Sequence, residues 1–209
     1  MMKITFDAML ELIGITAFAF SGATAAIEKR LDVFGILVLA FVTAVGGGTI
    51  RDMMIGSLPV AWLNDMETIY TILICYVISL FFIKHVKRFP HTMFWFDTIG
   101  LAFFCIVAIN KAVSFELHPV ICIATGTISA CFGGIIRDVL LNEIPYVFRK
   151  DVYASACIAG GILYFLLILW LEDRNLVSLL AGSLIIIIRL GARYFSWQMP
   201  NTNRYTSKD

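Results

Sequence analysis

Polar and apolar positions along this chain alternate in long blocks: seven apolar stretches are separated by short charged or turn-forming runs. The stretches are roughly Phe6–Ile27, Phe34–Ile50, Met66–Ile83, Met93–Ala112, His118–Ile136, Val152–Leu171 and Leu176–Phe195. Between them lie Glu28-Lys29-Arg30, Asn64-Asp65, Lys84-His85-Val86-Lys87-Arg88, Arg149-Lys150-Asp151 and Glu172-Asp173-Arg174-Asn175. A bilayer crossing takes about 20 mostly apolar residues, so the pattern predicts an all-α membrane protein of seven transmembrane helices. Composition agrees, with 60% of the 209 residues hydrophobic and 15% charged, against about 25% charged in an average soluble domain. The surplus apolar surface has to face lipid rather than water. One transmembrane domain is expected over residues 1–199, with a polar tail at 200–209. A signal peptide is the rival reading of the first stretch, but that stretch is longer than the usual apolar core of one and belongs to a repeat.

The repeat is legible by eye. Gly47-Gly48-Thr49-Ile50-Arg51-Asp52 matches Gly133-Gly134-Ile135-Ile136-Arg137-Asp138 at a shift of 86 residues. The same shift carries Gly14 onto Gly100, Pro59 onto Pro145, Asp65 onto Asp151 and acidic Glu11 onto acidic Asp97, without a gap. Repeat one then covers about residues 7–83, repeat two about 93–171, and a seventh helix about 176–195. Each unit holds three spans, and an odd number turns the second unit upside down relative to the first. That is the inverted-repeat plan of many transport proteins, with the working site near the repeat interface.

Charge distribution adds an orientation. Lys3, Arg51, Lys111 and Arg174 fall on the side of the N-terminus, four in all. The other side carries twelve: Lys29, Arg30, Lys84, Lys87, Arg88, Arg137, Arg149, Lys150, Arg189, Arg193, Arg204 and Lys208. Positive loops stay in the cytoplasm, so the expectation is an inner-membrane protein with its N-terminus outside and its C-terminus cytoplasmic. Trp62, Trp95, Trp170 and Trp197 lie near span ends, where interfacial anchors belong. The net charge of +1 points to no nucleic-acid partner.

Glycine clusters mark the candidate pathway. Gly46-Gly47-Gly48 ends the second predicted span and Gly133-Gly134 sits late in the fifth. Adjacent glycines, each costing about 1 kcal/mol in a helix interior, predict a kink or local unwinding whose freed carbonyls line a wet path. Close helix packing is the plainer reading. Topology puts Glu11 level with Arg51 and Asp97 level with Arg137, predicting two symmetry-related ion pairs with Asp52 and Asp138 beside them. The alternative is that these charges lie at the interface and snorkel to water. Thr43 and Thr49 in one repeat, and Thr125, Thr127 and Ser129 in the other, are candidate lining hydroxyls, or else bond a carbonyl one turn back. Arg189, deep in the seventh stretch, reads equally as a structural cation, a gate element or a snorkelling side chain.

Catalytic constellations are missing from the sequence. His85, His91 and His118 lie in loops or at span ends without ligand spacing, and no phosphate-binding or nucleophile-elbow motif occurs. Cys75, Cys105, Cys122, Cys131 and Cys157 are scattered through apolar stretches, which fits neither a disulfide framework nor a metal site. The expectation is a protein with no enzymatic activity, cofactor or metal.

Two three-helix repeats, a seventh helix, and the GG-x-x-RD motif at Gly47–Asp52 and Gly133–Asp138 resemble the prokaryotic trimeric intracellular cation channels, over about Glu11 to Phe195. Related bacterial sequences are also described as glycine transporters. The resemblance implies a homotrimer in membrane lipid, each subunit with its own pore for monovalent cations such as K⁺ and Na⁺, and K⁺ above all. It implies that the second and fifth helices shape the pore, with Gly46, Gly47, Gly48, Gly133 and Gly134 as hinges. Two departures stand out: Phe132 occupies the position equivalent to Gly46, and the Lys-Glu-Val signature of animal members is absent. The residues therefore predict a passive cation channel. The alternative is a secondary transporter of glycine or another small amino acid, since half-helix ends also bind carboxylates.

Overall fold

The computed structural model describes residues 5–83, 91–149 and 152–197. Among them are seven α-helices and no strand: α1 (Phe6–Glu28), α2 (Val33–Met54), α3 (Met66–Phe81), α4 (Thr92–Ser114), α5 (Pro119–Leu140), α6 (Ala154–Leu167) and α7 (Arg174–Tyr194). Single 3₁₀ turns at Ala61–Leu63 and Tyr146–Phe148 follow α2 and α5, one in each repeat. Five helices are long and apolar enough to cross a membrane, while α3 and α6 have 16 and 14 residues. At 1.5 Å per residue the shorter two reach about 24 and about 21 Å. Of the basic residues that set the expected orientation, Lys3, Lys84, Lys87, Arg88, Lys150, Arg204 and Lys208 lie outside the described residues, as do His85, Asp151 and the tail.

The polar punctuation of the sequence starts the helices. The Asp32 carboxylate accepts from Gly35 N at 2.7 Å, Asp65 from Glu67 N at 3.0 Å, and Asp173 from Asn175 N at 2.9 Å. Each satisfies a donor that the first helical turn leaves without a partner. Around the bundle, large apolar side chains such as Phe34, Ile74, Phe81 and Ile187 are exposed, as suits helices that lie in a bilayer.

The two repeats interlock about a pseudo-two-fold axis. Phe18 of α1 and its repeat mate Phe104 of α4 stack with ring centroids 5.0 Å apart, both buried. Each ring lies on the other helix's glycine: a Cβ on Gly14 would stand 2.8 Å from Phe104, and one on Gly100 would stand 2.4 Å from Phe18. Beside them α2 crosses α5 at backbone contact. A Cβ on Gly47 would meet the Ser129 carbonyl oxygen at 2.3 Å, and one on Gly133 would meet that of Thr43 at 2.5 Å. Thr43 and Ser129 are themselves repeat mates, so one contact is made twice. Close approach of this kind is what small residues supply in membranes, where apolar burial gives helices little reason to associate.

Here the structure corrects the expected unwinding. α2 is helical without a break through Gly46, Gly47 and Gly48 and continues to Met54, so the cluster does not end it. α5 likewise runs through Gly133 and Gly134 to Leu140. The glycines remove side-chain bulk at the crossing, and their carbonyls stay in the helices. Replacing Gly47 by Ala forces α2 and α5 apart and is expected to cost about 1–3 kcal/mol, as overpacking does. Gly48→Ala meets nothing closer than 3.7 Å, and should leave stability unchanged or raise it. Thermal melting of the purified protein in detergent checks both, and a Gly47→Ala midpoint at or above wild type would refute the crossing argument.

Candidate functional site: two buried charge clusters

Because α2 continues past its glycines, Arg51 and Asp52 are held on a regular last turn, facing inward, with 1% and 0% of their surface exposed. Arg51 spans two acids: its Nε donates to Asp52 Oδ1 at 2.7 Å and its Nη2 to Glu11 Oε1 at 3.0 Å. Asp52 also accepts from Lys111 Nζ at 2.7 Å and, through Oδ2, from Ala61 N at 2.8 Å. The adjacent pair thus divides its labour. Arg51 reaches back to the first helix of its repeat, and Asp52 fastens the 3₁₀ turn that follows.

The second repeat builds the same device. Arg137 Nε donates to Asp138 Oδ1 at 2.8 Å, Arg137 Nη1 donates to Asp97 Oδ1 at 2.7 Å, and Tyr146 N donates to Asp138 Oδ2 at 3.1 Å. Arg137 is completely buried, and Nη1 also donates to Ser21 of α1 at 2.5 Å. Asp97 gathers further donors. Arg189 Nη2 reaches its Oδ2 at 3.1 Å and the Tyr153 hydroxyl its Oδ1 at 3.3 Å. Arg189 Nε donates to Thr98 at 3.2 Å, and its guanidinium lies over the Tyr153 and Phe94 rings at 4.4 and 5.0 Å. Of the three readings the sequence leaves for Arg189, snorkelling is excluded by its 3% exposure.

Each cluster thus holds two acids and two bases: Glu11, Arg51, Asp52 and Lys111 in one, Asp97, Arg137, Asp138 and Arg189 in the other. Bare charges at membrane depth are expensive, and mutual neutralisation is how they are kept. The two clusters are not equally closed. Asp97 is 1% exposed, whereas the Glu11 side chain is 31% exposed and carries a single hydrogen bond.

Of the candidate hydroxyls, Thr43 and Thr49 donate to carbonyls one turn back, at 2.6 and 2.8 Å. Ser129 instead donates across the crossing to the Gly47 carbonyl at 3.0 Å. Thr49 further accepts from the Trp62 indole at 3.0 Å, which ties that half-buried tryptophan to α2. The buried Thr127 hydroxyl has no hydrogen-bond partner.

Lys111, Tyr153 and Thr98 are members that sequence reasoning missed. Lys111 is the one with a usable signal, since topology placed it on the same side as Asp52. The five cysteines are buried and free, and among the described residues no group of acids, histidines and cysteines is placed to hold a metal. A cavity of about 40 Å³ adjoins the first cluster, lined by Glu11, Arg51, Asp52, Trp62, Asp65 and Thr68 among others. A larger one of about 380 Å³ adjoins the second, lined by Phe94, Tyr146, Arg189, Arg193 and Trp197 among others.

Known proteins share this architecture. The sequence profile described as "Glycine transporter" matches residues 8–85 and 94–169. A UPF0126 membrane protein of Vibrio cholerae is 40% identical over 197 residues, covering 92% of this chain and 81% of that protein. The UPF0126 inner membrane protein YadS of Escherichia coli is 38% identical over 196 residues, covering 91% and 93%. A TRIC cation channel of known structure superimposes with a TM-score of 0.83 at 29% identity, over 93% of this chain and 96% of that one. The TRIC trimeric intracellular cation channel orthologue from Rhodobacter sphaeroides does so with a TM-score of 0.82 at 30% identity, over 91% and 98%.

The unequal clusters give unequal mutants. Asp97→Ala removes one of two acids from buried Arg137 and the carboxylate partner of buried Arg189, and is expected to cost about 3–5 kcal/mol, enough to deplete folded protein. Glu11→Ala leaves Arg51 its bond to Asp52 and should cost less than half as much. Expression yield and melting midpoint measure the difference, and equal losses would contradict the reading of the two sites.

Proposed function

We propose that this chain, which belongs to the glycine transporter family, forms a passive channel for monovalent cations, with K⁺ as its main ion. One observation carries the reading: both buried arginines that flank the repeat interface are neutralised by acids of their own repeats. Two unpaired arginines would repel cations, while neutral clusters leave oxygen-rich stations at both ends of a path. The fold shared with TRIC cation channels supports the same conclusion.

The path runs between the clusters, along α1 and α4. Glu11 and Ser21 touch different clusters from the same helix, about 15 Å apart at 1.5 Å per residue. Midway, the stacked Phe18 and Phe104 rings and the Gly47 and Gly133 contacts fill the interior. Conduction therefore requires α2 and α5 to part, with Gly46, Gly47, Gly48, Gly133 and Gly134 giving smooth faces for the movement. Three such chains form the assembly, each with its own path, by analogy with the trimeric relative. The N-terminus lies outside and the C-terminus in the cytoplasm. Setting aside buried Arg51, Arg137 and Arg189, the basic residues still divide three against ten.

A second reading has an observation of its own. Arg51 Nη1 is buried without a hydrogen-bond partner, and Arg51 lines the small cavity together with Glu11. A guanidinium donor next to an acid suits an amino-acid zwitterion, so a glycine carrier is the alternative.

Planar-bilayer recording in asymmetric KCl separates the two. Discrete steps reversing near the K⁺ potential, indifferent to glycine, are the expected outcome. A silent bilayer with saturable glycine uptake in parallel liposomes would overturn the channel in favour of the carrier.

A further inference from the structure

Repeat symmetry breaks at the start of α4. Under the 86-residue shift the mate of His91 is Thr5. Thr5 stands in extended backbone at φ −74° and caps its own helix, its hydroxyl accepting from Ala8 N at 3.3 Å. His118, at the same place before α5, does likewise, its Nδ1 accepting from Val120 N at 3.3 Å. His91 instead stands in left-handed backbone at φ 101° and gives α4 no side-chain cap. Its ring serves another helix: Arg193 Nη2, on the last turn of α7, lies 2.5 Å from its Nδ1.

That contact fixes the protonation of the ring. A guanidinium offers only donors and no acceptor, so Nδ1 must supply a lone pair. The imidazole is therefore neutral while the bond exists, with its proton on Nε2. The same Arg193 lies over the Phe94 ring at 4.1 Å, and Arg189 lies over that ring at 5.0 Å. Phe94 thus carries both arginines, and Arg189 in turn holds Asp97. Arg189, Arg193, Phe94 and Trp197 all line the cavity of about 380 Å³ beside the second cluster.

Imidazole is the side chain whose charge ordinarily changes near neutral pH. A proton taken up at Nδ1 removes the lone pair and sets two cations in contact, so the bond to Arg193 does not survive it. His91 and Arg193 are both exposed, and protons reach the ring directly from water. A second partner stands within reach of the charged ring. Glu28, exposed at the end of α1, interacts electrostatically with His91 and Arg137. Among the described residues, His91 is thus faced by a cation from α7 and an acid from α1, while the first turn of α4 holds no acid. Lys84, Lys87 and Arg88 precede it in the chain, outside the described residues.

We propose that His91 is a proton-binding site that latches the last turn of α7 onto α4 at the mouth of the second-cluster cavity. Neutral His91 holds Arg193 and keeps that turn in place as a wall of the cavity. Protonated His91 turns to Glu28, and the freed turn widens the mouth. The latch is present at high pH and lost as pH falls. On the proposed orientation the proton comes from the cytoplasm, so acidification there loosens the inner end of the path. The latch is independent of what the path carries, and only its effect on current rests on the channel reading.

The test is fluorine NMR of the purified full-length protein carrying fluorotryptophan. Trp197 reports on the latched turn, since it lines the same cavity and its backbone N–H bonds the Ala192 carbonyl at 2.8 Å. Its signal is assigned by its loss in Trp197→Phe, and the three histidine rings are followed by nitrogen labelling. Between about pH 8 and pH 5, the Trp197 signal is expected to shift in step with protonation of His91. His91→Asn keeps an acceptor near the Nδ1 position, suits left-handed backbone and cannot titrate, so the shift should be lost. A shift that persists in His91→Asn, or protonation of His91 that leaves Trp197 unmoved, would overturn the proposal. Should His91→Asn fail to fold, Arg193→Leu decides: loss of the pH-dependent Trp197 shift supports the latch, and an unchanged shift refutes it. A titrating Trp197 with a silent bilayer would defeat the channel reading alone. K⁺ currents with Trp197 fixed across the same pH range would defeat this inference alone.

Discussion

A guanidinium buried in a membrane-spanning bundle tolerates no missing counter-charge, and this one requirement organises the protein. Arg51 and Arg137 are among the largest fully buried side chains in the chain. Each fixes the depth of an acid one helix away, Glu11 or Asp97, and the direction of the aspartate that follows it in sequence. The aspartates then set where the chain turns after α2 and α5, through Ala61 N and Tyr146 N. Helix ends, loop entries and the relative heights of α1 and α4 all follow from keeping two cations satisfied out of water.

Symmetry supplies the plan and its exceptions supply the character. The glycine contacts, the phenylalanine stack and the Arg-Asp devices all occur twice. The fourth charge of each cluster does not. It comes from the far end of α4 in one case and from α7, outside both repeats, in the other. These added cations differ in kind. One is a half-exposed lysine with a single bond, and the other is an arginine locked between rings. The two ends of the proposed path are therefore built to yield at different costs.

Much of this was legible beforehand because it lay in residue spacing. The apolar blocks located all seven helices, and the 86-residue shift located the paired acids and arginines at matching depths. What escaped had no spacing to betray it. Lys111, Tyr153 and Thr98 reach their partners from positions that the repeat does not duplicate, their mates being Ala25, Glu67 and Leu12. The glycines misled for a physical reason: a run of them lowers helix propensity, yet at a crossing the gain from backbone approach outweighs that loss, so α2 continues to Met54. Ending the second helix early had also hidden why Arg51 and Asp52 face inward, since only a continued helix aims them.

The division of partners between and within repeats bears on how the chain is made. Each arginine finds both of its acids inside its own repeat: Glu11 and Asp52 for Arg51, Asp97 and Asp138 for Arg137. The steric fits run the other way, with Gly14 on Phe104, Gly100 on Phe18, and Gly47 on Ser129. A newly synthesised first half can thus enter the bilayer with its buried arginine already paired while its packing waits for the second. Biogenesis is spared any stage at which a lone cation is stranded in lipid, and final assembly is left to a docking of two preformed, upside-down halves.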